Sequence, residues 1–310
     1  MPRDAKVIAR IKGGLGNQLF CYAAARRLAL VNDAELVLDD VTGFRRDVKY
    51  RRQNMLDRFR VPARRARPAE RMEPFERPRR ALAKAISRRR PFHRRRYLEQ
   101  EGIDFDPRLL TLKVEGTVHL DGLWQSEGYF QDVADVIRDD LRLIPPQDSV
   151  NERIANEMSQ CNAVAVHVRL LHGIGVAEDT SGDPGLVNER YTLGPSYYAR
   201  AAQCLQDKMS DPHFFLFSDR PEDARRLLNV ADENVTCVRH NRADEDACAD
   251  LWLMTQCKHF IIANSTFSWW GAWLAPGDEK IVITPDSGPS GPGYWAIQGL
   301  VPDRWTQVPA

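Results

Sequence analysis

Four polar stretches follow apolar runs of the sequence, and each of them contains a glycine, an arginine or a hydroxyl-bearing residue, types that bind phosphate groups. They are GGLGNQ at 13–18, HVR at 167–169, FSD at 217–219 and ANST at 263–266. Glycine turns let main-chain amides approach an anion, guanidinium groups bind phosphate oxygens in pairs, and hydroxyl groups at a helix N-terminus add donors. The four stretches together predict a site for a phosphate-bearing ligand.

The glycine turn is ambiguous when it is taken alone. Gly14 and Gly16 follow a short apolar run and precede a helical pattern, as in a phosphate-binding βα turn. The third glycine of a dinucleotide-binding turn is missing, since Leu19 stands in its place, and no Walker lysine pattern occurs. NAD binding is therefore weakly supported, and an ordinary tight turn remains the alternative.

His167 and Arg169 stand two residues apart in the apolar run AVAVHVR, so both side chains lie on one face of a predicted strand. An arginine buried without a partner is costly, so Arg169 should face a carboxylate or a ligand. A buried ion pair and a bound phosphate both satisfy it. The polar, glycine-rich segment Gly173–Gly185 is a candidate lid, although simple disorder also explains its composition.

The stretch NSTFSWWGAWLA places Asn264, Ser265 and Thr266 where a strand gives way to a helix. Such residues cap helices, and the same amides and hydroxyl groups bind phosphate, so capping and function explain them equally well. The three tryptophans, 269, 270 and 273, follow at helical spacing. At least two of them are predicted to pack in the core, and the third is a candidate to line the ligand site.

The elements that must hold these residues alternate between strand and helix. Residues 6–11, a helix beginning at Asn17 and residues 34–38 form a βαβ unit. A second alternation begins at Asn162, with strands predicted at 163–169, 213–219, 234–240, 260–265 and 280–285 and helices at 196–209, 221–228, 246–257 and from 265. Alternating strands and helices predict parallel sheets covered on both faces. We therefore expect two Rossmann-like domains, 1–146 and 147–310, with a cleft between them.

A strongly basic segment interrupts the first domain. Arg45–Arg96 contains 21 Lys and Arg against five Asp and Glu, although the whole chain has a net charge of only +1. This asymmetry favours an anionic partner, such as membrane lipid headgroups or an anionic glycan, and a solvated helical insertion is the alternative. Nucleic acid fits less well, because the aromatic residues of the segment are sparse and irregular.

The composition is that of a globular protein, with 43% hydrophobic and 28% charged residues. No run of about 18 apolar residues occurs, and the apolar run near the N-terminus is too short for a secretion signal. Cytoplasmic residence is expected, with peripheral contact at the inner membrane face. The six cysteines lack paired spacing and are predicted to be buried thiols.

The longer motifs GGLGNQLFCYAAARRLAL and DLWLMTQCKHFIIANSTFSWWGAWLA, with HVR and LFSD, resemble the inverting α-1,2-fucosyltransferases of glycosyltransferase family 11. The resemblance covers residues 13–30 and 162–275, and residues 40–115 contain no motif that we can place in it. It implies an α/β fold of the GT-B type, GDP-fucose as donor, a glycan acceptor, and no metal or other cofactor.

The resemblance also assigns roles to individual residues. Arg169, assisted by His167, would hold the diphosphate, and Asp250 would accept hydrogen bonds from the guanine base. Asp219 would lie near the nucleoside. The remaining donor contacts would come from Gly14, Gly16, Asn17, Gln18, Asn264, Ser265 and Thr266.

One departure from the family pattern concerns its HxRRxD motif, which is HVRLLH here. Leu170 replaces the second arginine and His172 the aspartate. His172 becomes the candidate general base, with Glu178 or Asp179 as alternatives. The departure leaves open transfer from a different nucleotide sugar, and a non-catalytic protein that binds nucleotide sugars or glycans is another alternative. A third alternative rests on the basic segment Arg45–Arg96, which would make the protein a module that binds membranes or nucleic acid.

Overall fold

The structure is a computed structural model that describes residues 5–48, 50–170, 193–241, 246–286 and 295–310. The chain divides into two compact units, Met1–Arg142 with Ile297–Leu300, and Leu143–Ala296 with Val301–Ala310. Each unit contains one parallel sheet with helices, so the predicted α/β class is confirmed. The domain boundary predicted after residue 146 lies a few residues beyond this division.

The sheet of the first unit has the strand order β3-β2-β1-β5-β4, and all neighbouring strands are parallel. Its strands are β1 Lys6–Arg10, β2 Glu35–Asp39, β3 Arg64–Arg65, β4 Tyr97–Glu99 and β5 Thr117–Asp121. Its α-helices are α1 Leu15–Val31, α2 Glu76–Arg88 and α3 Ala134–Asp140. The predicted βαβ unit is confirmed as β1, α1 and β2.

The basic segment belongs to this sheet. It supplies β3 at one edge of the sheet and helix α2, and it ends just before β4, the strand at the opposite edge. Arg64 of β3 donates to Glu35 of β2 at 2.6 Å and to Glu70 at 2.6 Å, so part of the positive charge is neutralised inside the unit. The sequence gives no sign of β3 or β4, because strands of two and three residues are too short to show apolar alternation.

The sheet of the second unit has the order β11-β10-β9-β6-β7-β8 and is also parallel. Its strands are β6 Asn162–Val168, β7 Pro212–Ser218, β8 Val235–Cys237, β9 His259–Ile261, β10 Val282–Pro285 and β11 Thr306–Val308. Its helices are α4 Ser149–Ser159, α5 Pro195–Gln206, α6 Pro221–Arg225, α7 Ala247–Gln256 and α8 Thr266–Leu274. Every strand predicted in this half is present.

Two elements of the second unit were not predicted. Helix α4 begins after Asp148, whose side chain accepts the main-chain N–H of Asn151 at 2.9 Å. The sequence indicated that the strand at 280–285 is the last one of the chain. In the structure a further strand, β11, follows it and pairs with it. Strand β11 has a single apolar residue and carries no periodic signal. Helix α4 does carry one, since Val150, Ile154 and Met158 recur at four-residue spacing, but the sequence analysis did not use it.

The three tryptophans of α8 lie in the core of the second unit. Trp269 and Trp270 have no exposed surface and Trp273 has 1%. The ring of Trp269 lies 6.1 Å from that of Trp273 and 5.4 Å from that of Trp305. The expectation that one of the three lines a ligand site is therefore wrong, because all three rings fill the space beneath the sheet.

The six cysteines are free thiols, of which Cys21 and Cys257 are buried and the other four are half-buried. Burial raises the pKa of Cys21 to about 11. Within the described ranges, no helix combines the length and apolar composition that a membrane-spanning segment needs.

Candidate functional site

The carboxyl edge of the second sheet brings three of the predicted stretches together. Strand β6 pairs with β7 on one side and with β9 on the other, all parallel, so their ends meet at one edge. Arg169 follows β6, Asp219 follows β7, and Ser265 comes shortly after β9. Ligands of open α/β sheets bind at this edge.

Arg169 lies at the N-terminus of helix α8. Its Nη1 donates to the Oγ of Ser265 at 3.3 Å, and the same Oγ accepts the main-chain N–H of Phe267 at 3.3 Å. Ser265 is therefore the N-cap of α8, as predicted, and it also positions the guanidinium. The positive charge of Arg169 therefore lies at a helix N-terminus, where the helix dipole also favours an anion.

Arg169 has no acidic partner in the part of the chain that the structure describes. It is half-buried, and no described carboxylate lies within 4.0 Å of its nitrogen atoms. The nearby Asp219 accepts the main-chain N–H of Leu170 at 3.2 Å. The sequence left two alternatives open for Arg169. An ion pair is not seen among the described residues, and binding of a ligand phosphate stays a prediction.

His167 is a buried, neutral group beside this arginine. It is 8% exposed, and burial, with a smaller effect of the Arg169 charge, lowers its pKa to about 3. Its Nδ1 has no hydrogen-bond partner among the described residues, and its ring centroid lies 5.5 Å from that of Phe267. A neutral ring can donate or accept one hydrogen bond, but it adds no charge to the site. Its predicted part in holding the diphosphate stays a prediction.

Leu170 occupies the place of the family's second arginine. It is 5% exposed and belongs to the apolar core of the second unit. Since its side chain packs inward with β6 and α5, this position contributes no charge to the ligand site. His172, Glu178, Asp179 and the segment Gly173–Gly185 lie outside the described residues.

Two tyrosines that the sequence analysis did not single out support the strand ends. The hydroxyl of Tyr197 donates to the carbonyl of Ile262 at 2.6 Å, and that of Tyr198 donates to the carbonyl of His167 at 3.3 Å. Both residues belong to α5, and both side chains are buried. The sequence contains one signal that could have predicted these contacts, the two adjacent tyrosines at the start of a predicted helix. A buried tyrosine needs a hydrogen-bond partner for its hydroxyl, and a neighbouring strand can supply a carbonyl.

Asp250 lies on helix α7 of the same unit. Burial raises its pKa to about 7, while a hydrogen bond from Asn241 Nδ2 at 2.8 Å opposes that rise. Asn241 also donates to Asn151 of α4 at 3.1 Å. Asp250 is therefore a carboxyl group that changes its charge near neutral pH, and its predicted contact with guanine requires the ionised form.

In the first unit, the glycine turn leads directly into α1. Gly13 has φ +79°, and a Cβ there would lie 2.8 Å from Asn17 Nδ2, so only glycine fits. Gly14 is the N-cap of α1, and Gly16 is buried in its first turn, with no capping side chain and no acidic residue. These features agree with the predicted anion-binding turn, but they do not identify a ligand.

The amides of Asn17 and Gln18 are engaged within the first unit. Gln18 is fully buried; it donates to the carbonyls of Gly13 and Gln53, both at 2.9 Å, and accepts the N–H of Met55 at 2.8 Å. Asn17 accepts from Gln125 at 2.8 Å. Gln18 thus shapes the turn by holding the segment 53–55 against it, and its predicted contact with the donor stays a prediction.

Comparison with known proteins identifies the family. The model of glycosyl transferase family 11 matches residues 6–290. The chain belongs to glycosyltransferase family 11. It is a glycosyltransferase, as its motifs predicted.

Two curated relatives and one solved structure are similar to this chain. An α-1,2-colitosyltransferase of Escherichia coli is 27% identical over 290 residues, covering 90% of this chain and 91% of its own. The O-antigen biosynthesis glycosyltransferase WbnK of Escherichia coli is 28% identical over 301 residues, covering 89% and 92%. The fucosyltransferase NodZ from Bradyrhizobium has a similar fold, with a TM-score of 0.50, 15% identity, and coverage of 94% and 97%. The predicted GT-B-like class agrees with this likeness.

Proposed function

We propose that this glycosyltransferase moves fucose from GDP-β-L-fucose to a hydroxyl group of a glycan, with inversion, to form an α-1,2 linkage. The observation that carries the proposal is the half-buried guanidinium of Arg169, which Ser265 holds at the N-terminus of α8 and which no described carboxylate neutralises. Membership of family 11 and the motifs around these residues support it.

Inversion requires a single displacement in which negative charge grows on the departing GDP. Arg169 and the first amides of α8 stabilise that charge without a metal ion. Donors of this kind contribute about 3 to 4 kcal/mol each to transition-state stabilisation in comparable sites. The acceptor hydroxyl must lose its proton to a general base, for which His172 is proposed and Glu178 and Asp179 are the alternatives.

A second candidate donor is a colitosyl nucleotide. One relative is named an α-1,2-colitosyltransferase. In addition, Leu170 is buried where the family pattern has a charged arginine, so the contacts around the sugar differ from that pattern. Either donor would place the same diphosphate on Arg169.

The acceptor that we propose is a glycan of bacterial surface-polysaccharide synthesis, because one relative is named for O-antigen biosynthesis. Such acceptors can be carried on anionic surfaces, and the basic segment Arg45–Arg96 fits contact with anionic lipid or glycan. We place the enzyme in the cytoplasm, peripherally at the inner membrane face.

Mass-spectrometric screening tests the donor and the metal requirement together. Each of several GDP, UDP, ADP and dTDP sugars is incubated with the protein and an oligosaccharide array, with and without EDTA. We expect one deoxyhexose to be added from a GDP donor at an EDTA-independent rate. Transfer only from a UDP donor would contradict the donor assignment, loss of transfer in EDTA would contradict metal independence, and GDP binding without transfer to any acceptor would favour the non-catalytic reading.

A further inference from the structure

Helix α2 directs three of its charged or polar side chains, Arg80, Lys84 and Ser87, towards its own unit. Arg80 donates to Thr42 Oγ1 at 2.8 Å, and Lys84 Nζ lies 3.3 Å from a carboxylate oxygen of Asp121. Ser87 is buried and its Oγ accepts the main-chain N–H of Tyr97 at 3.0 Å. Residues 80, 84 and 87 lie on one side of a helix with 3.6 residues per turn, so this side faces the sheet.

The apolar side chains of α2 lie on the opposite side. Leu82 is 62% exposed and Ile86 45%, and Phe75, which caps the helix, is 70% exposed. At about 100° per residue, these positions form one stripe roughly half a turn from Arg80 and Lys84. A helix on a globular protein normally buries its apolar side and exposes its charged side. In α2 this arrangement is reversed.

Exposed arginines surround the apolar stripe. Arg79, Arg89 and Arg90 are all exposed. Within the described ranges, no carboxylate lies within 4.0 Å of their guanidinium groups, whereas the inward-facing Lys84 contacts two, Glu99 and Asp121. The outward side of α2 therefore combines three large apolar side chains with uncompensated positive charge.

We propose that α2 docks this protein on an anionic phospholipid surface, with Phe75, Leu82 and Ile86 inserted at the boundary between headgroups and acyl chains. The helix lies in the plane of the interface, and the flanking arginines bind lipid phosphates. In-plane helices need both signals, apolar insertion and charge, because either alone binds weakly. The proposal rests on one part of the proposed function, the peripheral contact with an anionic membrane surface. It is independent of the identity of the donor sugar.

The combination of apolar and positively charged side chains on α2 favours a lipid surface over the other anionic partners. Nucleic acids and soluble anionic glycans would engage the arginines, but they would leave Leu82 and Ile86 in water. Single-stranded nucleic acid also requires several stacking rings, and Phe75 is the only aromatic residue of α2 and its cap. A lipid interface uses both parts of the surface.

Vesicle co-sedimentation of the full chain tests the proposal. The protein is mixed with vesicles of phosphatidylcholine alone or with 40% phosphatidylglycerol, at about 0.1 M salt. The apolar variant is Leu82→Ser with Ile86→Ser, and its control is Ile103→Ser with Ile144→Ser, which alters two residues of similar exposure, 53% and 57%. The charge variant is Arg79→Ser with Arg89→Ser, and its control is Arg142→Ser with Arg226→Ser, two other exposed arginines.

We expect binding to the anionic vesicles and little binding to the neutral ones. The charge variant should lower the partition coefficient about thirtyfold, since each basic residue near such a surface contributes about 1 kcal/mol. The apolar variant should lower it at least tenfold. Both controls should bind as the unchanged protein does. All four variants should keep the melting temperature and the transfer rate to a soluble acceptor, so that failure of docking is distinguished from failure of the transferase.

Three outcomes would overturn the proposal. The first is the absence of binding to anionic vesicles. The second is binding that the apolar variant leaves unchanged, which would indicate adsorption by charge alone. The third is binding to single-stranded RNA that competes with vesicles and is lost in the apolar variant.

Discussion

The carboxyl edges of the two sheets handle buried charge in different ways. At the first sheet, Asp121 is 2% exposed and lies 2.8 Å from Lys12 Nζ and 2.8 Å from the hydroxyl of Tyr97. Although burial alone would raise its pKa, Lys12 and Arg10 hold the pKa of Asp121 well below its usual range. Positive and negative groups here satisfy one another within the fold.

At the second sheet, the corresponding edge keeps a positive charge without a described acidic partner. Arg169 contacts the hydroxyl of Ser265, and its neighbour His167 is neutral because burial lowers its pKa to about 3. A partly buried charge is costly unless an opposite charge meets it. The first edge is therefore a structural network of paired charges, whereas at the second edge a bound anion stays a prediction.

The largest effect that we expect is on turnover in Arg169→Ala. Removal of one preorganised donor to a departing oxyanion costs a factor of about 100 to 1,000 in kcat. Steady-state kinetics with a GDP donor measure it. Arg153→Ala, which removes an exposed arginine of α4, is the control and should retain full activity. Retention of most of the activity in Arg169→Ala would remove the contrast between the two edges.

The second expectation is a loss of stability in Asp121→Asn. The substitution leaves the partly buried Lys12, Arg10 and Lys84 without their shared carboxylate, at a cost of about 3 kcal/mol in the free energy of unfolding. Urea denaturation measures this change, and affinity for GDP should be unaltered. Asp135→Asn, at a fully exposed carboxylate, should leave stability unchanged. An Asp121→Asn protein of normal stability with impaired GDP binding would assign the first edge to the ligand.

The third expectation concerns pH and Asp250. Because burial raises its pKa to about 7, the carboxyl carries a proton below that pH and cannot accept both guanine N–H groups. GDP affinity should therefore rise about tenfold per unit as the pH approaches 7 from below, and level off above it. Calorimetry between pH 5.5 and 8.5 measures this profile. In Asp250→Asn the profile should be flat, and an unchanged slope in that variant would place the titrating group elsewhere.

The smallest effect is expected for Ser265→Ala. Loss of the N-cap hydroxyl should lower the free energy of unfolding by about 1 kcal/mol. Loss of the hydrogen bond from Arg169 to this hydroxyl should also lower kcat, by less than in Arg169→Ala. Ser265→Thr keeps a hydroxyl and is the matched control. If the alanine variant lost stability but kept full turnover, Ser265 would be a cap only.

Much of the second unit could be predicted because its strands are apolar runs bounded by clear turns. The convergence of Arg169 and Ser265 followed from one rule, that parallel strands end at the same edge. In the first unit, β3, β4 and α2 could not be predicted in the same way. The arginines of β3 pair with carboxylates distant in sequence, as Arg64 does with Glu35. Local periodicity carries no information about such pairs.

Within the candidate site, residue types were predictable and side-chain environments were not. HVR indicated a polar pair, but burial of His167 depends on Phe267, a residue from another element. Gln18 stands in a motif that suggested ligand binding, whereas its amide bonds the main chain of residues 53 and 55. The raised pKa of Asp250 likewise depends on tertiary burial. These properties arise from packing between segments that are far apart in the sequence.

The central claim is that the guanidinium of Arg169 binds the diphosphate of the donor. Calorimetric titration of GDP into the unchanged protein and Arg169→Ala, together with their melting temperatures, tests it most directly. We predict that the substitution abolishes measurable GDP binding and leaves the melting temperature of the free protein unchanged. Equal GDP affinity in the two proteins, or a large drop in melting temperature with affinity retained, would contradict the claim.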